Sequence, residues 1–417
     1  MLEFIFWLSV CIIFYAYMGY LITLILIKYY QKIFYKKEKK STLTAEENVD
    51  SIDVTPQVSF IITAYNEEKR ITDKIKNSLA LTYPMDRLEI IVASDCSDDR
   101  TDEIVRSYAD KGIKLVRSPE RKGKENAQMH AVQAAKGSIL VFSDVATILK
   151  PDAIDKIVDN FKNPIIGCVS SEDRFIDRQG NISGEGLYVK YEMFLRKVES
   201  QVNTLVGLSG SFFAARREVC NNWAPDLQSD FNTLLNSVKM GLKGISDPLS
   251  IGYYENISNE SKEFQRKVRT VLRGITVLMR NKHLLNYKHY GMFAWQLLSH
   301  KICRWLVPFF LISALLTNLF IAKTSIVYAI LFLLQFGFYC AAVVHYFLLK
   351  QERERNKAEH PNAQKQRRGR ITALVKSIFF QIARISYYFV TVNSSILVAW
   401  IKYLSGKRAI YWEPSKR

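Results

Sequence analysis

VSFIITAYNEE, Val58–Glu68, is an almost uninterrupted apolar run of strand length that breaks off into polar residues opening a helix. A strand buried on both faces reads this way, whereas one with a solvent face alternates. The loop outside the carboxyl end of such a strand is where open α/β sheets bind ligands. Outward from it the same order repeats. A helical stretch at Ile71–Leu81 precedes a strand at Glu89–Ala93, a helix at Asp99–Ala109 and a strand at Ile113–Val116. A helix at Lys124–Ala135 and a strand at Ser138–Phe142 follow. Strand and helix alternating at this interval predict a parallel, doubly wound sheet.

Three aspartates stand at the ends of hydrophobic runs: Asp95 in IIVASDCSDDRTDEI, Asp144 in ILVFSDVATIL and Asp230 in LQSDFNTLLNSVKMGLKG. Asp95 and Asp144 fall just past predicted strands, so one cleft can gather them, as a site handling a pyrophosphate requires. Aspartate is also a favoured helix cap. That bland reading competes evenly at Asp98, Asp99 and Asp102, less at Asp230, and least at Asp95.

From Pro56 to about Tyr254 the motifs together resemble the catalytic domain of membrane-bound family 2 glycosyltransferases of the GT-A group. That group includes bacterial capsule and exopolysaccharide transferases and, more distantly, hyaluronan and cellulose synthases. AYNEE at Ala64–Glu68 is similar to the nucleotide-entry loop, and SDCSDDRT at Ser94–Thr101 to the uridine-contacting acidic loop. KGK at Lys122–Lys124 is similar to the Gly-Lys turn over the nucleotide, and FSDVAT at Phe142–Thr147 to the metal and ribose loop. GLSGSFFAARRE at Gly207–Glu218 resembles the acceptor-side segment, and SDFNTLLNSVKMG at Ser229–Gly241 the segment carrying the catalytic base. One such motif alone is weak; six in order are not.

The resemblance implies an inverting transfer with Asp230 as general base. Ala64, Tyr65, Glu67 and Asp95 would bind the nucleoside end. Asp144 would serve the ribose and a Mg or Mn ion, and Lys124 with Arg266 and Arg269 would meet the diphosphate. An inverting transfer needs a carboxylate to take the acceptor proton, with the reacting groups in line, and cations at the leaving diphosphate. Asp226 and the pair Glu172–Asp173 are rivals for the base, the pair leading into a solvent loop ending at Gly180.

Three positions depart from the family pattern. The acidic pair D-x-D has become Asp144-Val145-Ala146, which leaves an ion to Asp144, water and phosphates, as Mg tolerates. The Q-x-x-R-W of processive members has become Gln265-Arg266-Lys267-Val268-Arg269 without a tryptophan, which implies single addition. Met129 stands where asparagine is common.

Of 417 residues, 48% are hydrophobic, and the formal net charge is +18. The basic clusters flank apolar runs, which predicts contact with membrane lipids and phosphorylated substrates and argues against nucleic acid. The reading divides the chain into an N-terminal transmembrane helix (1–30), a basic juxtamembrane segment and linker (31–55), and a GT-A domain (56–287). After these come an interfacial helix (288–304), two transmembrane helices (305–349), a basic cytosolic loop (350–370), and an apolar segment with a basic tail (371–417). The apolar run Phe4–Ile27 is long enough to span a bilayer, and the lysines after it place the following chain in the cytosol. The loop 350–370 carries eight Lys or Arg against three Glu, which again predicts the cytosolic side. The six cysteines show no C-x-x-C pair, and the six histidines no metal-ligand spacing.

The fold class expected is therefore α/β: a GT-A, Rossmann-like, mostly parallel sheet with transmembrane helices at both ends. The function expected is transfer from a nucleotide-sugar donor, a UDP-sugar foremost, to a lipid-linked or polysaccharide acceptor at the cell membrane. A processive synthase and a nucleotide-sugar-binding scaffold without turnover are the alternatives.

Overall fold

Among the described residues, eight strands form one sheet: β1 (Val58–Ala64), β2 (Leu88–Ser94), β3 (Ile113–Arg117), β4 (Ile139–Asp144), β5 (Ile148–Leu149), β6 (Ile166–Ile176), β7 (Phe212–Arg216) and β8 (Lys243–Glu255). In this computed structural model, residues 1–38, 55–176, 187–255, 260–358 and 370–408 are described. The linker expected at 41–55, except its last residue, lies outside them. So do the loop leading to Gly180, the middle of the basic loop 350–370 and the end of the tail.

All seven residues of β1 are buried, because its side chains alternate between two covered faces. Val58, Phe60 and Ile62 pack with Ile71 and Ile75 of the helix Ile71–Leu79. Ile61 packs on the other face with Ala127 and Ala131 of the helix Lys124–Ala134. Burying each large apolar side chain of this kind contributes about 1.5–3 kcal/mol. The helices Ile71–Leu79, Thr101–Arg106 and Lys124–Ala134 are thus the crossovers that the alternating pattern predicts.

Strand order is β3-β2-β1-β4-β7-β6-β8-β5. The first four strands are mutually parallel, in the register Val58↔Leu88 and Val58↔Ile139. The sheet is mixed and mostly parallel, as expected, and its run of successive parallel strands ends at β4. There β7 enters antiparallel, with Phe142 opposite Phe213 and their rings stacked at 4.7 Å. β6 pairs antiparallel with β7 and parallel with β8, and β5 closes the edge antiparallel to β8.

The chain divides into two units. One comprises Gly19–Lys262 and Leu272–Lys301 with the segment after Gly406; the other comprises Met1–Met18, Glu263–Val271 and Ile302–Gly406. Within the second, Phe6 packs with Ala314 and Ile321, Ser9 Oγ lies 3.1 Å from Ser313 Oγ, and the Trp400 indole donates to the Trp305 carbonyl.

Among the described residues, four helical runs are long and apolar enough to cross a membrane: Leu2–Phe34, Tyr287–Ile321, Ile326–Gln351 and Phe380–Leu404. The segment expected as an interfacial helix, 288–304, is a helix Tyr287–Leu297 kinked at Gly291, followed by a π turn Leu298–Ile302. By composition it reads as the start of the run that continues through Cys303–Ile321. The last apolar stretch is one helix, Arg370–Leu404.

Candidate active site

The loops leaving β1 and β2 are knitted to each other by backbone groups. The Asp95 N–H donates to the Ala64 carbonyl at 2.9 Å, and Glu67 N–H to Thr101 Oγ1 at 2.8 Å. Asp98 N–H donates to Asn66 Oδ1 at 3.1 Å, and Asn66 itself takes a left-handed φ of 51°. Asp95 is fully buried, and its carboxylate accepts from the Lys122 and Gly123 N–H groups at 2.9–3.1 Å. Burial raises its pKa, and those two backbone donors oppose the rise. Gly123, at φ 101°, turns the chain where a side chain would be strained. The neighbouring Arg121 guanidinium lies 4.0 Å over the Tyr65 ring. Asp99 accepts from the Thr101 N–H at 2.9 Å just ahead of the helix Thr101–Arg106, whereas Asp102 pairs with Arg117.

Lys124, the first residue of its helix, is buried, and its Nζ pairs with Asp144 at the end of β4. The same ammonium donates to the Gly210 carbonyl at 2.8 Å. A Cβ at Gly210 would lie 2.9 Å from Asp230 Oδ2, so only glycine lets this loop close on the carboxylate. Asp230 is 9% exposed and sits in the first turn of the helix Ser229–Lys239. Its side chain does not cap that helix; Oδ1 accepts from the Phe231 N–H and Oδ2 from Gln228 Nε2. Burial raises the Asp230 pKa, while the Lys124 and Arg273 cations act against it. Glu125 forms a buried ion pair with Arg273, and its Oε1 also faces the Ser229 N–H. Asp144, Lys124, Gly210 and Asp230 therefore form one continuous wall.

Behind that wall, Ser209 and Ser211 donate to Asp173 at 2.5 and 2.7 Å. Arg196 donates to Ser170 Oγ at 3.0 Å and to the Gly207 carbonyl at 2.8 Å. Glu172 and Asp173 lie within β6, paired with β8, and Glu172 bonds to Arg174. The chain that this pair leads into stays in β6 as far as Ile176, and the rest of the expected loop lies outside the described residues; Asp173 holds the segment Ser209–Ser211. Asp226, the other rival, precedes the Asp230 helix and makes a two-pronged pair with Arg280 at 2.9 and 2.6 Å.

Of the basic run, Arg273 is the member that reaches Glu125. Arg266 bonds Glu263 through two nitrogens at 2.8 Å each. Arg266 and Arg269 both fall in Glu263–Val271, which groups with the apolar helices.

Lys74 escaped the motif reading. It is 2% exposed, on the core face of the helix Ile71–Leu79 together with Ile71, Ile75 and Ser78. Its Nζ donates to Ser143 Oγ at 2.8 Å and to the Thr147 carbonyl at 2.5 Å. Desolvation pushes its pKa down to about 7, with Asp144 pulling the other way. A lysine at the i+3 position of an apolar stripe was a legible anomaly.

A divalent ion would find one carboxylate here. Asp144 Oδ1 is taken by Lys124, and Oδ2 accepts no hydrogen bond among the described residues. No group of three or more His, Cys, Asp or Glu side chains able to hold a metal occurs among those residues. The donor set fits an ion that takes most of its ligands from a diphosphate and water.

A parallel sheet turning antiparallel beyond β4, with carboxylates gathered at its strand ends, defines the GT-A class of glycosyltransferase fold. A mannosyltransferase from Pyrobaculum calidifontis, solved with GDP-Man and Mn2+, shares it at TM-score 0.62 and 20% identity, covering 93% of this chain and 99% of its own. Residues 59–223 match the family model described as Glycosyl transferase family 2. The poly-beta-1,6-N-acetyl-D-glucosamine synthase of Staphylococcus aureus is 25% identical over 259 residues, 60% of this chain and 61% of its own. That of Staphylococcus epidermidis is 26% identical over 178 residues, 41% and 42% of the two chains. The chain thus spans about three fifths of the length of the first of these relatives.

Proposed function

We propose that this chain is a membrane-anchored, inverting glycosyltransferase that moves one sugar from a nucleotide-sugar donor, a UDP-sugar foremost, to a hydroxyl of a lipid-linked or polysaccharide acceptor on the cytosolic face. The observation that carries this reading is the wall in which one ammonium, Lys124, touches both Asp144 and the carbonyl of Gly210, the residue whose missing side chain leaves room for the Asp230 carboxylate. A group able to take a proton and a cation able to meet a diphosphate stand side by side.

In this reading the acceptor oxygen attacks the anomeric carbon as its proton passes to the Asp230 carboxylate. The new C–O bond forms while the bond to the diphosphate breaks, and the nucleoside diphosphate leaves with the electron pair. A single displacement of this kind inverts the anomeric centre. The raised pKa of Asp230 suits a base that must accept a proton. Lys124 would move from Asp144 towards the diphosphate as charge develops there. A bound Mg or Mn, held by Asp144, the phosphates and water, would neutralise the remainder. Tyr65 and the Asp95-held turn would frame the nucleoside, and Ser209–Ser211 the acceptor.

The names of the staphylococcal relatives favour a second reading, processive synthesis. Release of nucleoside diphosphate from UDP-, GDP- and TDP-sugars by the detergent-purified chain, with Mg, Mn or chelator and with Asp230→Asn alongside, tests the first. Donor-selective release lost in the variant supports it, and product length by mass spectrometry separates single from repeated addition. Equal silence of both proteins, with nucleotide still bound, would replace it with a binding scaffold.

A further inference from the structure

We propose that Lys74 is a positioning residue, whose ammonium clamps both ends of the Ser143–Thr147 turn from beneath and so fixes Asp144 for the nucleotide; this role rests on the function proposed above. The residue occupies a core position where leucine or methionine would complete the apolar stripe without desolvating a charge. An ammonium placed there is satisfied only by what it reaches. It reaches Ser143 Oγ immediately before Asp144 and the Thr147 carbonyl three residues after it.

The same helix grips the chain once more just downstream. Asn77 Nδ2 donates to the Leu149 carbonyl at 2.8 Å, and Leu149 N–H donates to Asn77 Oδ1 at 2.9 Å. From above, the turn is held through Asp144 N–H to the Ser211 carbonyl at 3.0 Å and Thr147 Oγ1 to that same carbonyl at 3.3 Å. Lys74 is a buried cation beneath it. Because Ala146 occupies the second acidic place, one carboxylate carries the whole turn's function. Its placement therefore matters more than in a loop with two.

The test is calorimetric binding of UDP and of GDP, with MnCl2, to the full chain in detergent, comparing wild type, Lys74→Met, Asp144→Asn and the double variant. Lys74→Met is expected to weaken binding about tenfold with Tm unchanged or raised, since it removes a buried charge. In the Asp144→Asn background it is expected to cost less than about twofold more, because the two act through one element. Equal affinity of wild type and Lys74→Met overturns the proposal, as does a fully additive loss or a loss matched by a falling Tm. If Lys74→Met does not fold, Ser143→Ala decides: a weaker loss that also vanishes in the Asp144→Asn background supports the clamp, and unchanged affinity overturns it. Wild type binding neither nucleotide would overturn the parent function together with this role, a result distinct from all the others.

Discussion

The side of the sheet proposed to take the nucleotide is held by carboxylates that accept from backbone N–H groups, whereas the proposed acceptor side is held mostly by side chains that meet other side chains. Asp95 grips the N–H groups of Lys122 and Gly123, and Asp99 grips that of Thr101. Across β7 the holding contacts are Ser209 and Ser211 on Asp173, Arg196 on Gly207, and Arg273 on Glu125. The first arrangement takes its donors from the backbone, so substituting the donor residues leaves those N–H groups in place. The second puts several buried charges around one carboxylate, so single changes there should strike chemistry before they strike binding.

The largest separation between the two sides is expected from Asp230→Asn. Transfer should fall by about 10³-fold or more, near the upper range for loss of a general base, while UDP affinity stays within about twofold of wild type. Burial raises the pKa of Asp230. Below that value the group is protonated and cannot take the acceptor proton, so kcat/KM should rise with pH through a limb displaced above the ordinary carboxylate range, then level off. A rate that persists undiminished in the variant would move the base elsewhere.

Lys124→Met comes next. Since this ammonium touches both Asp144 and the Gly210 loop, its loss should lower kcat/KM by about 10²-fold, with both donor affinity and kcat affected. A change confined to donor affinity would place Lys124 wholly on the nucleotide side. Gly210→Ala follows, with about a tenfold loss in kcat at unchanged UDP affinity. Its new Cβ would lie 2.9 Å from Asp230 Oδ2 and displace a base that must stay aligned. Steady-state kinetics beside calorimetry reads all three.

The same contrast explains what was legible beforehand. The parallel half follows from residues a few positions apart: an apolar run, a polar break, a helical stripe. Thus β1 was placed to the residue, and the helix Lys124–Ala134 to within one. The antiparallel entry of β7 depends on Phe142 meeting Phe213 some seventy residues on, a pairing that local periodicity cannot carry. Asp230, Asp144 and Lys124 were named from their motifs, and the structure brings all three together. Their shared contact through Gly210 was not readable, nor was the hold of Asp173 on two serines, because neither involves neighbours in sequence. Lys74 is different in kind: its stripe position was in plain view, but it belongs to no motif, and a lysine in a charged helix is usually solvated.

Asp173→Asn should give the smallest effect and the finest test of the division. The carboxylate accepts from Ser209, Ser211 and Ser171, whereas an amide offers one acceptor oxygen and presents a donor to a hydroxyl that must turn. The acceptor segment should loosen enough to raise acceptor KM a few-fold, as expected for one buried hydrogen bond of about 1 kcal/mol, with UDP affinity unchanged. Stability supplies an independent sign. Burial raises the pKa of Asp173 in the folded chain. Folding therefore favours its protonated form, and that contribution is present below the unfolded pKa and lost as pH rises through the folded one. Relative to Asp173→Asn, the Tm of the wild type should accordingly be highest in acid and decline towards neutral pH. A difference that grew with pH would mean that the serines, with Arg196 nearby, outweigh burial. A loss of UDP affinity in the variant would mean that the two sides of the sheet are coupled through β7.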